Sequence, residues 1–282
     1  MDMKRMLICE SGATKADWRV VENGRQTARV LSEGINVSTL PMDAVESRIR
    51  KAALELPEAE YDEIHFYMAG VATPPIRSAI ENILKRDFKV SEVEVQNDLT
   101  GAARAACGHE PGIVAIMGTG SNSCYWDGQK IALHVKSGGF ILGDDGSASV
   151  LGRIFISDFI KGLVPAEIAE EYSKRFPSGY PEIVELVYHN PDSPSAWLGS
   201  LCPFILSFYE HPYIKKLVDS HIQAFVDRSL KQYDIAKYPV GIIGGFGNAL
   251  KDIIRPIFED SGIRIRAFIP DPIEELIRYH SR

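Results

Sequence analysis

Apolar positions along this chain fall first into short strand-like runs and then into helical spacing, and that order repeats. Met6–Glu10 is apolar until it turns. Ala16–Glu22, with Trp18, Val20 and Val21, predicts a second strand. Asn23-Gly24 between it and Thr27–Leu31 is a strong two-residue hairpin signal. Ala44, Ile49, Ala53 and Leu56 recur at helical spacing within Met42–Leu56. Ile64–Met68 predicts a buried strand, and Pro74-Pro75 opens a helix carrying Ile76, Ile80 and Ile83. Val93–Val95 predicts another strand, followed by an alanine-rich helix over Leu99–Cys107. The hairpin start implies antiparallel strands, and the later β-α-β units imply parallel ones. The expectation is a mixed sheet with helices on its faces.

The pattern restarts after Pro111. Ile113–Met117, Ser123–Trp126 and Lys130–Val135 repeat the order of apolar strand, small-residue turn with a threonine, and strand with a tryptophan. This reads as an internal duplication; two unrelated hairpins would give the same pattern. Residues 147–230 are mostly helical in spacing. Val240–Ile243 and Ile263–Phe268 predict late strands with a helix over Asn248–Phe258 between them, and a short helix follows Pro270-Asp-Pro272. The expected domains are residues 1–108 and 109–271, with a helical insertion at 147–232 in the second.

Composition narrows the classes. A chain of 282 residues buries a core that needs no staples. A net charge of −7 leaves no basic footprint for nucleic acid. Cys9, Cys107, Cys124 and Cys202 are scattered without a C-x-x-C, so no disulfide frame or zinc site is suggested, and a reducing cytosol is the expected compartment. Glu10 stops the first apolar stretch too soon for a signal peptide, and no run reaches the ~18 apolar residues of a spanning helix.

Three small-residue turns carry the candidate chemistry, each after an apolar strand. In Glu10-Ser-Gly-Ala-Thr-Lys15, Gly12 and Ala13 let backbone N–H groups approach an anion; Thr14 adds a hydroxyl and Lys15 a charge. Glu10 can hold Mg²⁺ through water. Gly118, Thr119, Gly120 and Ser121 form a second anion nest. Gly244, Gly245 and Phe246 follow Val240–Ile243. They fail as a dinucleotide fingerprint, because Leu250 stands where the third glycine belongs, and no Walker A loop occurs. What remains is a glycine pair on which a flat base can lie. Taken alone, each turn is also an ordinary hairpin or packing turn.

Asp98 follows a strand and precedes a helix. That place suits a general base and equally an N-cap. In Ser137–Ser147, four glycines and Asp144-Asp145 precede an apolar helix, so either aspartate can accept hydrogen bonds from substrate hydroxyls, or the loop can simply cap the helix. Asn36 and Gly70 lie at loop ends after strands.

In this order the segments Glu10–Trp18, Gly34-Ile-Asn36, Met68-Ala-Gly70, Asn97-Asp98, Met117–Ser121, Phe140–Ser147 and Ile243–Phe246 resemble the sugar kinase–actin–heat-shock-protein-70 ATPase superfamily. The match is to its N-acetylglucosamine kinase branch, which shares a sequence family with activator ATPases. The resemblance implies an α/β fold of two ribonuclease-H-like domains, each a mixed five-stranded sheet flanked by helices, with a cleft between them. It implies that helix 272–282 packs back on the first domain. ATP would use Gly12–Lys15, Gly118–Ser121 and Gly244–Phe246, with Mg²⁺. Asp98 would take the proton from the sugar 6-hydroxyl. The residues matching Asn36, Gly70, Asn97, Thr119, Gly138, Gly139 and Asp144 would meet the amino sugar, and a homodimer is common in such proteins.

Two segments depart from the family pattern. The first turn has Glu10 and Ala13 where Asp and glycine are frequent, and Ser137-Gly-Gly139 replaces a frequent Gly-Trp-Gly core. Losing that tryptophan removes an apolar wall and leaves the sugar open among N-acetylglucosamine, glucosamine, N-acetylmuramate and other amino sugars. The rival readings are an activator ATPase, which needs a cysteine-ligated iron–sulfur cluster, and a non-catalytic sugar- or nucleotide-binding regulator.

Overall fold

A computed structural model describes residues 4–12, 14–189 and 193–281. The chain divides into two compact units. Unit 1 comprises Met1–Pro111, Trp126–Ile131 and Asp271–Arg282; unit 2 comprises Gly112–Tyr125 and Ala132–Pro270.

The first sheet contains β1 (Arg5–Ser11), β2 (Lys15–Glu22), β3 (Arg25–Glu33), β4 (Glu63–Met68) and β5 (Glu92–Asn97), in spatial order β3-β2-β1-β4-β5. β1 pairs antiparallel with β2 and parallel with β4, and β4 pairs parallel with β5. β1 is central, which is why Met6, Leu7, Ile8 and Cys9 are all buried without alternation. β3 is an edge and carries polar residues over most of its length. Asn23 (φ 49°) and Gly24 (φ 77°) make the predicted two-residue turn, with both residues left-handed as a type I′ hairpin requires. Helices α1 (Met42–Glu55), α2 (Pro74–Phe88) and α3 (Asp98–Cys107) accompany this sheet. Trp18, Phe66, Ile80 and Leu84 lie in its core, with the Trp18 and Phe66 rings 5.2 Å apart.

The second sheet contains β6 (Gly112–Met117), β7 (Ser121–Trp126), β8 (Ile131–Leu133), β9 (Val240–Ile243) and β10 (Ile265–Ile269), in order β10-β9-β6-β7-β8. Numbered by appearance, both sheets run third, second, first, fourth, fifth. The repeated hydrophobic pattern therefore corresponds to a repeated topology. Between β8 and β9 come α4 (Gly139–Leu142), α5 (Ala148–Ile160), α6 (Ala166–Ser173), α7 (Tyr180–Val184), α8 (Pro194–Ser200), α9 (Cys202–Leu206) and α10 (Pro212–Arg228). α11 (Gly245–Ala249) and α12 (Lys251–Asp260) follow β9, with Leu250 separating what the spacing predicted as one helix. β10 starts two residues later than predicted. Phe155, Ile222, Phe225 and Phe258 anchor the core of unit 2.

The last helix, α13 (Ile273–His280), packs on α3 and β1. Arg19 reaches its Glu274 at 2.9 Å and is itself held by buried Asp17. At its end the His280 ring stacks on His65, centroids 3.6 Å apart. Arg104 donates to the Tyr67 oxygen at 2.6 Å, so the Tyr67 hydroxyl donates to His280 Nε2, also at 2.6 Å. Donor atoms of His65, Glu94 and His280 lie within 4.8 Å of one another. Arg104 already takes both Glu94 oxygens at 2.8 Å, and stacked rings aim their lone pairs side by side. The group fastens a helix rather than converging on a metal.

That fastening carries a pH dependence. Burial, reinforced by His65 and Arg104, holds the His280 imidazole down to about 3. An unfolded histidine binds its proton near pH 6.5. Between those values unfolding takes up a proton, so stability falls on acidification by about 1.4 kcal/mol per pH unit for this group. The melting temperature is expected to drop between pH 7 and 5 less steeply for His280→Gln than for the wild type, as read by circular dichroism.

Candidate active site

In unit 1 the first turn is closed by the Gly12 N–H donating to the Lys15 carbonyl at 3.1 Å. Ser11 ties three segments together at the end of β1. Its hydroxyl accepts from the Ile35 N–H at 2.7 Å, and its carbonyl accepts from the Ala69 N–H at 3.1 Å. The Asn36 and Gly70 loops are thereby fixed beside the turn. Gly70 (φ 87°) also faces the Asn36 loop so closely that a Cβ would come 2.5 Å from Ser38 Oγ and 2.8 Å from Asn36 Oδ1. Asn36 Oδ1 accepts from the Ser38 N–H at 2.8 Å. Ala13 lies outside the described residues.

Asp98 opens α3, but Asn97 caps it. Asn97 Oδ1 accepts from the Thr100 N–H at 2.7 Å. Asp98 is therefore released from the N-cap role that its position allowed. Its carboxylate accepts only from the backbone N–H groups of Leu99, at 2.9 Å, and of Asp98 itself, among the described residues. Burial pushes its carboxyl above the ordinary aspartate range, although those N–H groups oppose the shift. The Asn97 side-chain oxygen is spent on the cap, leaving its amide nitrogen for any other contact.

Glu10, on β1, is pushed up to about 8 by burial first and then by the charges of Asp271 and Asp98, with Lys15 opposing. The charges of two further carboxylates thus bear on Glu10 near the first turn. Asp271 is the member that sequence reasoning missed. Its signal was the Pro270-Asp-Pro272 motif, read only as the start of a helix. Its carboxylate holds Lys15 Nζ at 2.6 Å, so the lysine expected to face phosphate is paired within unit 1.

In unit 2 the second and third turns touch. Gly244 has φ 121°, and a Cβ there would stand 2.5 Å from the Met117 carbonyl oxygen and 3.3 Å from the Gly118 nitrogen. Gly245 opens α11 with free space where a side chain would be. The Phe246 side chain is buried in the core of unit 2, turned inward by the first turn of α11.

The turn at Gly118–Gly120 is seated on the start of α5. The Ala148 and Ser149 N–H groups donate to the Gly118 and Thr119 carbonyls at 2.9 and 3.1 Å. Ser121 is turned to the neighbouring loop, where its hydroxyl donates to the Asp145 carbonyl at 2.7 Å. The backbone of Ser121 and Gly139 and the Ser137 hydroxyl face Asp144 (φ 52°) and favour its ionised form. Burial outweighs these donors and pushes Asp144 up to about 6. Gly138 and Gly139, both left-handed, bring the loop round to it. A cavity of about 180 Å³ opens here, lined by Ser137, Gly138, Asp144, Lys136, Arg228 and Gln232 among others. Its polar walls and the buried carboxylate of Asp144 can take a small hydroxylated molecule.

No family model matches the sequence, and no curated protein matches it. Solved structures do. The "Putative N-acetylglucosamine Kinase" of Porphyromonas gingivalis is 31% identical over 98% of both chains, with a TM-score of 0.93. The "Putative N-acetylglucosamine Kinase" of Chromobacterium violaceum is 17% identical over 99% of this chain and 98% of its own, with a TM-score of 0.73. A ROK family glucokinase from Streptomyces griseus, solved with glucose and AMPPNP, is 16% identical over 98% and 97%, with a TM-score of 0.58. The last two show the fold. Identity at the level of the first, sustained along the whole chain, shows descent: this protein belongs to the N-acetylglucosamine kinase family of the sugar kinase–actin–heat-shock-protein-70 superfamily.

Proposed function

We propose that this protein is an ATP-dependent kinase that phosphorylates the 6-hydroxyl of an amino sugar, with N-acetylglucosamine the first choice. The observation that carries the reading is Asp98: a carboxylate at a strand end, freed from capping by Asn97 and raised toward neutrality, in a chain of this family.

Phosphoryl transfer needs positioning and charge neutralisation more than covalent help. Asp98 accepts the proton of the attacking hydroxyl, a role worth ~10²–10⁴-fold in rate. The backbone N–H groups at Gly12 and at Gly118–Gly120, with Thr14 and Thr119, hold the phosphates. Lys15 leaves Asp271 for the γ-phosphate. The bare backbone at Gly244–Gly245 takes the adenosine. Asn36, Gly70 and Asn97 of unit 1, and Gly138, Gly139 and Asp144 of unit 2, are the residues assigned to the sugar. Glu10 and Asp271 are hard oxygen donors whose mutual repulsion fits a divalent cation. Bound there, Mg²⁺ would neutralise charge on the phosphates.

All four cysteines are buried, which disfavours their reaching an iron–sulfur cluster at a subunit interface. Among the described residues no helix is long and apolar enough to cross a membrane.

ATP consumption coupled to a colour reaction, run over a panel of amino sugars, tests the reading; turnover with none of them would sink it. A pH dependence follows from Asp144. Its carboxylate accepts sugar hydroxyls more strongly, and through both oxygens, when ionised, so kcat/KM for the sugar is expected to fall as pH drops through about 6. Asp144→Asn is expected to raise the sugar KM and to remove that acid limb.

A further inference from the structure

We infer that His221, a buried residue to which the chemistry above gives no part, is a positioning residue that holds the sugar-facing loop at Asp144. The inference rests on the sugar role proposed for Asp144.

His221 lies on α10, only 3% exposed, within the apolar core of unit 2. An imidazole in such surroundings costs free energy unless it is paired. Its Nε2 is 2.8 Å from the Ser147 carbonyl oxygen. A carbonyl only accepts, so Nε2 carries the proton. Burial lowers the affinity of the ring for a second proton, which keeps it neutral. The tautomer is thereby fixed by its partner.

The residue it grips is the hinge of the candidate site. The Ser147 side chain caps α5 by accepting from the Val150 N–H at 3.2 Å. Three residues before it is Asp144; directly after it are the two N–H groups that seat the Gly118–Gly120 turn. One helical turn beyond His221, Phe225 lies beneath Gly146 (φ 79°), where a Cβ would come 2.7 Å from the ring. α10 therefore supports residues 146 and 147 from below at two points, 221 and 225. The turn on the other side is anchored by β6 and β7 of the sheet. On the Asp144 side the loop is held by the Ser121 hydroxyl on the Asp145 carbonyl, by Arg228 on the Asp145 carboxylate and by His221 on Ser147, so loss of the His221 contact removes one of these ties next to Asp144.

The test compares sugar KM, ATP KM and kcat for wild type, His221→Leu, His221→Gln and His221→Asn. A displacement of order 1 Å at a binding group costs up to ~10²-fold. His221→Leu keeps the volume and removes the donor; sugar KM is expected to rise about tenfold, with ATP KM moving less than about twofold. Glutamine places an amide N–H near the Nε2 position and should recover most of the loss; asparagine is too short and should not. Should the leucine variant fail to fold, the glutamine and asparagine pair gives the same contrast. Unchanged sugar KM in the folded variants, with only the melting temperature lowered, would overturn the inference. So would sugar and ATP KM rising together. A wild type that phosphorylates no amino sugar sinks the kinase reading instead, and direct sugar binding by calorimetry separates the two failures.

Discussion

Asp98→Asn is expected to fold normally, to keep both KM values within a few-fold, and to lose kcat by ~10²–10⁴-fold. Asparagine keeps the shape and can still accept from the Leu99 N–H through its side-chain oxygen. The α3 cap is untouched, because Asn97 makes it. What disappears is the basic carboxylate. Stability is expected to hold, because Asn97 makes the cap and asparagine disturbs the start of a helix no more than aspartate does. A folded Asp98→Asn protein with wild-type kcat would remove Asp98 from the chemistry.

Gly244→Ala is expected to be strongly damaging for a single-carbon change. Its φ of 121° is essentially closed to residues with a Cβ, and the added carbon would meet the Met117 carbonyl at 2.5 Å. The combined strain is on the order of 2–4 kcal/mol. Relief requires moving either α11 or the strand end that launches the Gly118–Gly120 turn, so ATP KM is expected to rise as stability falls. Gly245→Ala is the control. Its Cβ meets nothing within 4 Å, so the melting temperature should hold. If adenosine lies on that backbone, ATP KM alone should rise. Equal melting temperatures for the two variants would remove the strain argument for Gly244.

Much of the fold was legible because its signals are local. Asn23-Gly24 specifies its hairpin by backbone freedom. The unbroken apolar run at Met6–Cys9 marks a strand buried on both faces. The repeat of strand–turn–strand after Pro111 foretold two sheets of one topology. Boundaries were less legible where the pattern is ambiguous. Ile263 is buried, yet β10 begins at Ile265, because burial alone does not distinguish a strand from the loop leading into it.

The candidate site divides along the same line. The identity of its turns is written in the chain, since glycine and small hydroxyl residues are the types that admit an anion or a close neighbour. Which residue of a pair takes which task is not. Asn97 and Asp98 are both good caps in sequence, and only the backbone path at the end of β5 gives the cap to Asn97. Phe246 stands beside two glycines in sequence, and only the pitch of α11 turns its side chain into the core. Asp271 is separated from Lys15 by 256 residues and came to it only when α13 returned to unit 1.

By itself, then, the sequence determined the α/β class, the repeated strand pattern and the small-residue turns, which rest on periodicity and backbone freedom within a few residues, and its ordered motifs carried the family resemblance. Tertiary structure decided the proton affinities of Glu10, Asp98 and Asp144, the pairing of Lys15, and the grip of His221 on Ser147. Burial and charge are sums over neighbours far apart in the chain, and those neighbours exist only once it has folded.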